Sequence, residues 1–208
     1  MTHDQKLIEM ATSGNVKGCE TFLLLGANVH AIAHDGLTAL HVAAIYDVAP
    51  LVELFIAYGA HVNALDDQRM TPLLHAASRG YIGVSKLLLT HGAQVDAKDR
   101  NQLSPLDWSV YMGHVQTTRL LLLNNAEVDF KEPHSRKLLA GALEKGHTEI
   151  CLLLLEAGEN PDFVKIFLNA TACLTEYPEC EAAVNAWFAQ KAARAAVIDV
   201  VQRSTCKP

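Results

Sequence analysis

No segment of the sequence approaches the roughly 20 consecutive apolar residues that a membrane-spanning helix requires, so we expect no membrane insertion. The first residues are polar, and we expect no signal peptide. Aromatic residues make up only 6% of the chain, although 50% of it is hydrophobic. The core must therefore be built mainly of Leu, Ala and Val, which favours closely packed helices.

Blocks of like charge are absent as well. The 17 basic and 23 acidic residues are mixed along the chain and leave a net charge of −6, so we predict no nucleic-acid partner. The five cysteines are odd in number and far apart, which predicts reduced thiols in a cytosol-like compartment. A disulfide or metal role for the nearest pair, Cys173 and Cys180, is the alternative. The others are Cys19, Cys151 and Cys206.

Motifs that carry catalysis or bind metal are also missing. The chain has no Gly-rich phosphate loop, no Gly-x-Ser-x-Gly, no His-Glu-x-x-His and no paired-cysteine ligand spacing. We therefore predict no enzyme activity, no cofactor and no metal. Several carboxylates recur in loops, and we interpret them as solvated residues that stabilise turns and helix caps. They are Asp66, Asp67, Asp96, Asp99 and Asp129.

What the sequence does contain is an internal repeat. One series of residues recurs every 33 positions, and a second series lies twelve residues before it with the same interval. Because all ten members are Gly, Asn or Asp, we expect each to end a helix in the left-handed conformation. The first series is Gly26, Gly59, Gly92, Asn125 and Gly158, and the second is Gly14, Asp47, Gly80, Gly113 and Gly146.

Two short amphipathic helices fit between these markers in each unit. Thr71 is predicted to cap the first helix of one unit and Pro72 to open it, and Ser104-Pro105 repeats this start 33 residues later. Each unit is therefore predicted to be a helix, a turn, a second helix and a hairpin-like loop.

These residues resemble ankyrin repeats, which have a period of 33 and a Thr-Pro-Leu-His segment at the start of the first helix. Residues 35–44, Asp-Gly-Leu-Thr-Ala-Leu-His-Val-Ala-Ala, carry the resemblance most fully, with Ala in place of Pro. The resemblance implies an all-α solenoid of stacked helix-turn-helix units. We place ankyrin repeats over 1–162 and a helical C-terminal cap over 163–208, with a degenerate sixth repeat as the alternative there. The units lie near 1–33, 34–66, 67–99, 100–132 and 133–162.

The resemblance implies a non-catalytic protein-protein interaction module, such as an adaptor, scaffold or regulator, in the cytoplasm. Two alternatives stay open: a bacterial ankyrin effector acting on host-cell proteins, in the host cytosol, and an enzyme with a site in residues 163–208. His41 resembles the capping histidine that joins neighbouring units of the family. Asn63 stands where some ankyrin proteins are hydroxylated, and a role in stabilising its turn is the alternative.

In ankyrin stacks, the partner-binding concave surface consists of the loop tips and the exposed side of each first helix. When these positions are transferred to each unit by the 33-residue period, they predict a surface that binds one protein partner. We expect a monomer, with self-association as the alternative. Burial of Leu37, Ile45 and Leu103 against neighbouring loops is the alternative to exposure. The predicted contact residues are Leu37, Ile45, Tyr46, Met70, Arg79, Leu103, Tyr111 and Met112, and the polar rim is Asp67, Gln68, Arg100 and Asn101.

Overall fold

The computed structural model describes residues 1–128 and 133–158, with the backbone alone at 133–136, and six helical residues at 182, 185–187, 189 and 190. The chain divides into two compact units, Met1–Glu127 and Val128–Pro208. The predicted boundary at 162 and almost all of the predicted C-terminal cap lie outside the described residues, as do Asp129, Cys173, Cys180 and Cys206.

The first compact unit is built of four helix pairs. In chain order these are α1 (His3–Thr12) with α2 (Val16–Leu24), α3 (Ala39–Ile45) with α4 (Ala49–Ala57), α5 (Pro72–Arg79) with α6 (Ile82–Thr90), and α7 (Pro105–Tyr111) with α8 (Val115–Leu123). The first helices pack in the order α1, α3, α5, α7, and the second helices pack in the order α2, α4, α6, α8. Stacked helix-turn-helix units are therefore confirmed.

The core between the two layers repeats with the sequence period. One leucine per unit is completely or almost completely buried on the first helix, at Leu7, Leu40, Leu73 and Leu106. Small side chains follow three residues later on α3, α5 and α7, where Ala43, Ala76 and Ser109 are fully buried and let neighbouring helices approach closely. The aromatic-poor core expected from composition is thus a stack of Leu and Ala layers.

The predicted helix starts are confirmed. The Leu74 amide donates to Thr71 Oγ1 at 3.2 Å, and the Asp107 amide donates to Ser104 Oγ at the same distance. Pro72 and Pro105 each occupy the first helical position, where the missing N–H leaves no partner unsatisfied.

The predicted helix ends are confirmed except at one residue. Asp47 and Asn125 adopt φ values of 57° and 62°, so these two replacements for glycine take the left-handed conformation that the period requires. Gly158 contradicts the prediction, because its φ of −90° is extended. Its amide still donates to the Leu154 carbonyl at 2.9 Å, so α10 ends without the left-handed residue.

Among the described residues of the second compact unit, α9 (Pro133–Glu144) and α10 (Thr148–Ala157) form a further helix pair. These helices pack on each other around buried Leu139, Leu143 and Leu154. Helix α9 is longer than α3, α5 or α7 and begins five residues before the position that the period gives, since α7 begins at Pro105. The fifth helix pair therefore departs from the geometry of the first four.

The described part of the chain is all-α, as predicted. It contains no strand, and its extended pairing is limited to a single antiparallel bridge between Ile32 and Thr38 at the base of a loop. No helix in these residues is long and apolar enough to cross a membrane.

The two glycines around Tyr81 provide a matched test of the repeat geometry. Gly80 has φ 76°, and a Cβ there would lie 2.6 Å from His114 Nδ1, whereas a Cβ on helical Gly83 would meet nothing within 4 Å. We expect Gly80→Ala to lower the free energy of unfolding by about 2 kcal/mol. Gly83→Ala should raise it by roughly 0.5–1 kcal/mol. Urea denaturation measures both changes. Equal effects of the two substitutions would contradict the assignment of Gly80 to a left-handed helix end and of Gly83 to a helix interior.

Candidate functional site

Buried carboxylates hold the loop tips that precede α5 and α7. Asp66 Oδ1 accepts the amides of Gln68 and Met70, both at 2.8 Å, and Asp99 Oδ1 accepts those of Asn101 and Leu103 at 2.7 and 3.0 Å. The second oxygen of each carboxylate reaches a first-helix side chain. Asp66 Oδ2 lies 2.8 Å from His75 Nε2, and Asp99 Oδ2 accepts the Trp108 indole N–H at 3.0 Å.

The prediction that these carboxylates are in contact with solvent is therefore wrong for Asp66 and Asp99, which are 8% and 3% exposed. Their turn role is confirmed. Their burial is tolerated because a ring nitrogen of the first helix, in His75 or Trp108, provides each of them with a hydrogen-bond donor. Asp67, the next residue along the chain, is exposed as predicted.

Neighbouring tips are also joined through the backbone. The Asp67 amide donates to the Asp35 carbonyl at 3.0 Å, and the Arg100 amide donates to the Gln68 carbonyl at the same distance. The tip turn needs a left-handed residue, which is Gly36 in the second unit but Arg69 and Gln102 in the third and fourth, with φ values of 60° and 63°. The tips of units two to four therefore form one hydrogen-bonded row.

His41 fastens the second unit to the third, as its resemblance to the capping histidine implied. The Thr38 amide lies 3.1 Å from His41 Nδ1, and His41 Nε2 lies 3.1 Å from the Met70 carbonyl. Since the amide can only donate and the carbonyl can only accept, Nδ1 is the acceptor and Nε2 carries the proton. The imidazole in this position is neutral.

His75 is set up in the same way. Asp66 accepts the hydrogen bond from Nε2 of His75, and Nδ1 lies 3.4 Å from the Arg79 guanidinium. Because a guanidinium can only donate, Nδ1 is the acceptor and Nε2 carries the proton. The His41 and His75 rings meet edge to face with centroids 5.8 Å apart. Burial lowers the pKa of both imidazoles below their ordinary value, although Asp66 opposes this at His75 and the Met70 carbonyl opposes it at His41.

Side chains in the loops that follow the second helices also connect neighbouring units. Asn63 donates from Nδ2 to the Gly92 carbonyl at 3.1 Å and accepts the Gln94 amide at 2.8 Å, so its side chain holds the loop of the next unit and not its own turn. Asp96 repeats this contact one unit later by accepting the Glu127 amide at 3.0 Å.

The ends of the first helices carry large exposed side chains in adjacent units. Tyr46, Arg79 and Met112 are equivalent positions separated by the period, and Tyr46 and Met112 are 55% and 47% exposed. Tyr111, 57% exposed, stands beside Met112 and packs edge to face on Trp108 with centroids 6.4 Å apart. We call Tyr46, Arg79, Tyr111 and Met112 the helix-end surface.

The predicted contact residues separate into two groups. Those of the helix-end surface are exposed, as are the predicted rim residues Asp67, Gln68, Arg100 and Asn101. The remaining four are half-buried, which places their side chains partly among the neighbouring turns: Leu37, Ile45, Met70 and Leu103.

Two exposed apolar residues near the tips were missing from the prediction. Ile32 and Leu65 occupy equivalent positions of consecutive loops and are 69% and 52% exposed. The 33-residue spacing between two large aliphatic residues was the signal that could have identified them.

The described residues contain no group of three or more His, Cys, Asp or Glu side chains that could hold a metal ion. Cys19 is buried, and burial raises the pKa of its thiol to about 11, so the thiol stays protonated at neutral pH. Cys151 is buried as well.

Comparison with known families agrees with the geometry of the stack. Residues 7–99 match the family described as ankyrin repeats (3 copies). These residues are ankyrin repeats. The match covers α2 to α6 and most of α1, and the fourth and fifth helix pairs lie beyond it. A comparison with curated proteins finds no match. Ankyrin repeats are generally protein-protein interaction modules and are typically non-catalytic.

The buried tip carboxylates should matter for stability. Asp99→Ala leaves three N–H donors without their acceptor, and we expect the free energy of unfolding to fall by about 2–3 kcal/mol. Asp67→Ala, at an exposed position of a neighbouring tip, should change it by no more than about 0.5 kcal/mol. Denaturation followed by tryptophan fluorescence compares the two, and similar small losses would show that the Asp99 contacts are dispensable.

The two neutral histidines predict a dependence of stability on pH. In the unfolded chain they take up protons near pH 6.5, whereas in the ankyrin stack they do so only at lower pH. Their contribution to stability is therefore complete above about pH 6.5 and is lost as the pH falls below it. Denaturation between about pH 7.5 and 5.5 should show this loss, and a His41→Gln, His75→Gln variant should show less of it.

His91→Gln is the matched control for this experiment, because His91 is exposed at the end of α6. It should keep the wild-type pH dependence. An unchanged dependence in the His41→Gln, His75→Gln variant would refute the role of the buried pair.

Proposed function

We propose that this protein is a non-catalytic adaptor, scaffold or regulator that binds one protein partner on its helix-end surface and the adjoining loop tips. The observation that carries the proposal is the exposure of Tyr46, Tyr111 and Met112 at the ends of first helices. Aromatic residues and methionine are enriched in the cores of protein interfaces, where a few such side chains supply most of the binding energy.

The fold does not require large apolar side chains at these positions. Ser13, the equivalent of Tyr46 and Met112 in the first unit, is small and polar, and α1 ends there without difficulty. The helix ends depend instead on the left-handed residue that follows, such as Asp47 or Gly113. Binding is the role that accounts for an exposed tyrosine or methionine better than stability does.

The most exposed leucines of the second helices do not continue from unit to unit. Leu24 and Leu123 are 73% and 75% exposed at equivalent positions of α2 and α8, but Ala57 and Thr90 occupy the two intervening units. Leu24 and Leu123 are therefore separated from each other by two units, whereas Tyr46, Arg79 and Met112 occupy three consecutive units. Isolated exposed leucines are ordinary on protein surfaces, and a continuous set marks an interaction site.

The loop tips extend this surface. Asp67, Gln68, Arg100 and Asn101 are exposed, and the hydrogen bond from the Arg100 amide to the Gln68 carbonyl connects their turns. A hydrogen-bonded row of tips loses little conformational freedom on binding, because its backbone is already held. Polar tips beside apolar helix ends reproduce the rim and core of an ordinary protein interface.

The test is an interaction experiment with matched variants. Wild type, Tyr46→Ala with Met112→Ala, and Leu24→Ala with Leu123→Ala are used to isolate partners from cells, and each affinity is then measured with the purified partner. The first variant should weaken binding at least about tenfold, since interface anchors contribute about 2 kcal/mol or more. The second should bind as wild type does. Loss of binding in the leucine variant alone would move the site to the second helices.

A further inference from the structure

Exposed arginines are concentrated on the third and fourth units. Arg69 and Arg100 stand on neighbouring tips, and Arg79 lies within the helix-end surface. The tips are close, because the Arg100 amide donates to the carbonyl of Gln68, the residue before Arg69, at 3.0 Å. Exposed Lys98 precedes the fourth tip. This concentration of positive charge lies in a chain whose net charge is −6.

Three carboxylates near these arginines are already used within the stack, and the exposed one is Asp67. Asp66 and Asp99 are buried and hold the tips, and Asp107 is buried at the start of α7, where Oδ2 accepts the Ser104 amide and hydroxyl. In the part of the chain that the structure describes, neither Arg69 nor Arg100 forms an ion pair. Arg69 and Arg100 therefore keep their charge available for a ligand.

Arg79 is held in place by its own helix. Its guanidinium nitrogen Nη1 donates to the His75 carbonyl at 3.1 Å and lies 3.4 Å from Ser78 Oγ, and these contacts leave other N–H groups of the fork to reach outward. It stands between Tyr46 and Met112 in the period, so a cation lies at the centre of the apolar helix ends. A positioned arginine binds a carboxylate with two parallel hydrogen bonds at little entropic cost.

From this arrangement we infer that the partner presents an acidic linear segment, in which Asp or Glu side chains contact Arg69, Arg79 and Arg100 while neighbouring apolar side chains pack on Tyr46 and Met112. The inference rests on the proposed function and specifies the chemistry of the partner. Exposed carboxylates stand on the tips of the second and third units, Asp35 and Asp67, whereas the fourth tip carries Arg100 and exposed Lys98 without one. The acidic end of the segment therefore lies towards the fourth unit.

An extended polyanion such as a nucleic acid fits the surface less well. Nucleic-acid binding relies on many phosphate contacts along a continuous basic surface. Here Asp35 and Asp67 interrupt the row of tips on one side, and Tyr46 and Met112 separate Arg79 from any further basic residue along the helix ends of units two to four. A short segment with a few carboxylates and apolar neighbours matches both features.

The experiment is a selection from a phage-displayed library of random short linear peptides, followed by affinity measurements on individually synthesised peptides. Wild type is compared with Arg69→Glu, Arg100→Glu, and with Lys17→Glu, Lys86→Glu, which changes the net charge equally at exposed positions of α2 and α6. Peptides selected on wild type should be enriched in Asp and Glu next to apolar residues. The arginine variant should weaken their binding roughly tenfold, and the lysine variant should have little effect.

Several outcomes would overturn the inference. They are selected peptides without acidic enrichment, equal weakening by the two charge variants, and comparable binding of a single-stranded oligonucleotide. Self-association of wild type that the arginine variant abolishes would assign the surface to a second copy of the chain. Neutral peptides that bind wild type but not the Tyr46→Ala, Met112→Ala variant would refute the acidic segment and keep the proposed function. Peptides insensitive to all three variants would refute both.

Discussion

The register between neighbouring repeat units depends on buried polar contacts at the loop tips. Asp66 and Asp99 each satisfy two backbone amides and one first-helix ring, so the tip, the turn and the helix are held by a single carboxylate. His41 adds a contact across the unit boundary to Met70. Loss of any of these groups leaves buried donors or acceptors unpaired, and this cost makes one stacking geometry preferred over others.

Much of this stack is encoded locally and could be predicted from the sequence. Thr71 and Ser104 cap helices because a hydroxyl before a helix satisfies a free amide, and Asp47 and Asn125 end helices because short polar side chains tolerate the left-handed conformation. The period then carries each local rule to every unit. Gly158 shows the limit of this reasoning, because a glycine permits the left-handed conformation without requiring it.

Features that arise between units could not be predicted in this way. A carboxylate in a loop is ordinarily solvated, and the burial of Asp66 depends on His75, nine residues away on a helix whose orientation only the stack determines. Met70 is half-buried although the period places it among the exposed contact residues, and for Leu37 and Leu103 the sequence leaves exposure and burial open. Exposure at Tyr46 and Met112 agrees with the periodic prediction, since the ends of the first helices face no further element of the first compact unit.

The central claim is that these exposed side chains serve binding and not the stability of the stack. Its most direct test is the free energy of unfolding of the Tyr46→Ala, Met112→Ala variant, measured by urea denaturation against wild type. We predict a change of no more than about 0.5 kcal/mol, the usual effect of a surface substitution. A loss of about 2 kcal/mol or more, typical of truncated core residues, would contradict the claim and assign the two side chains to the fold.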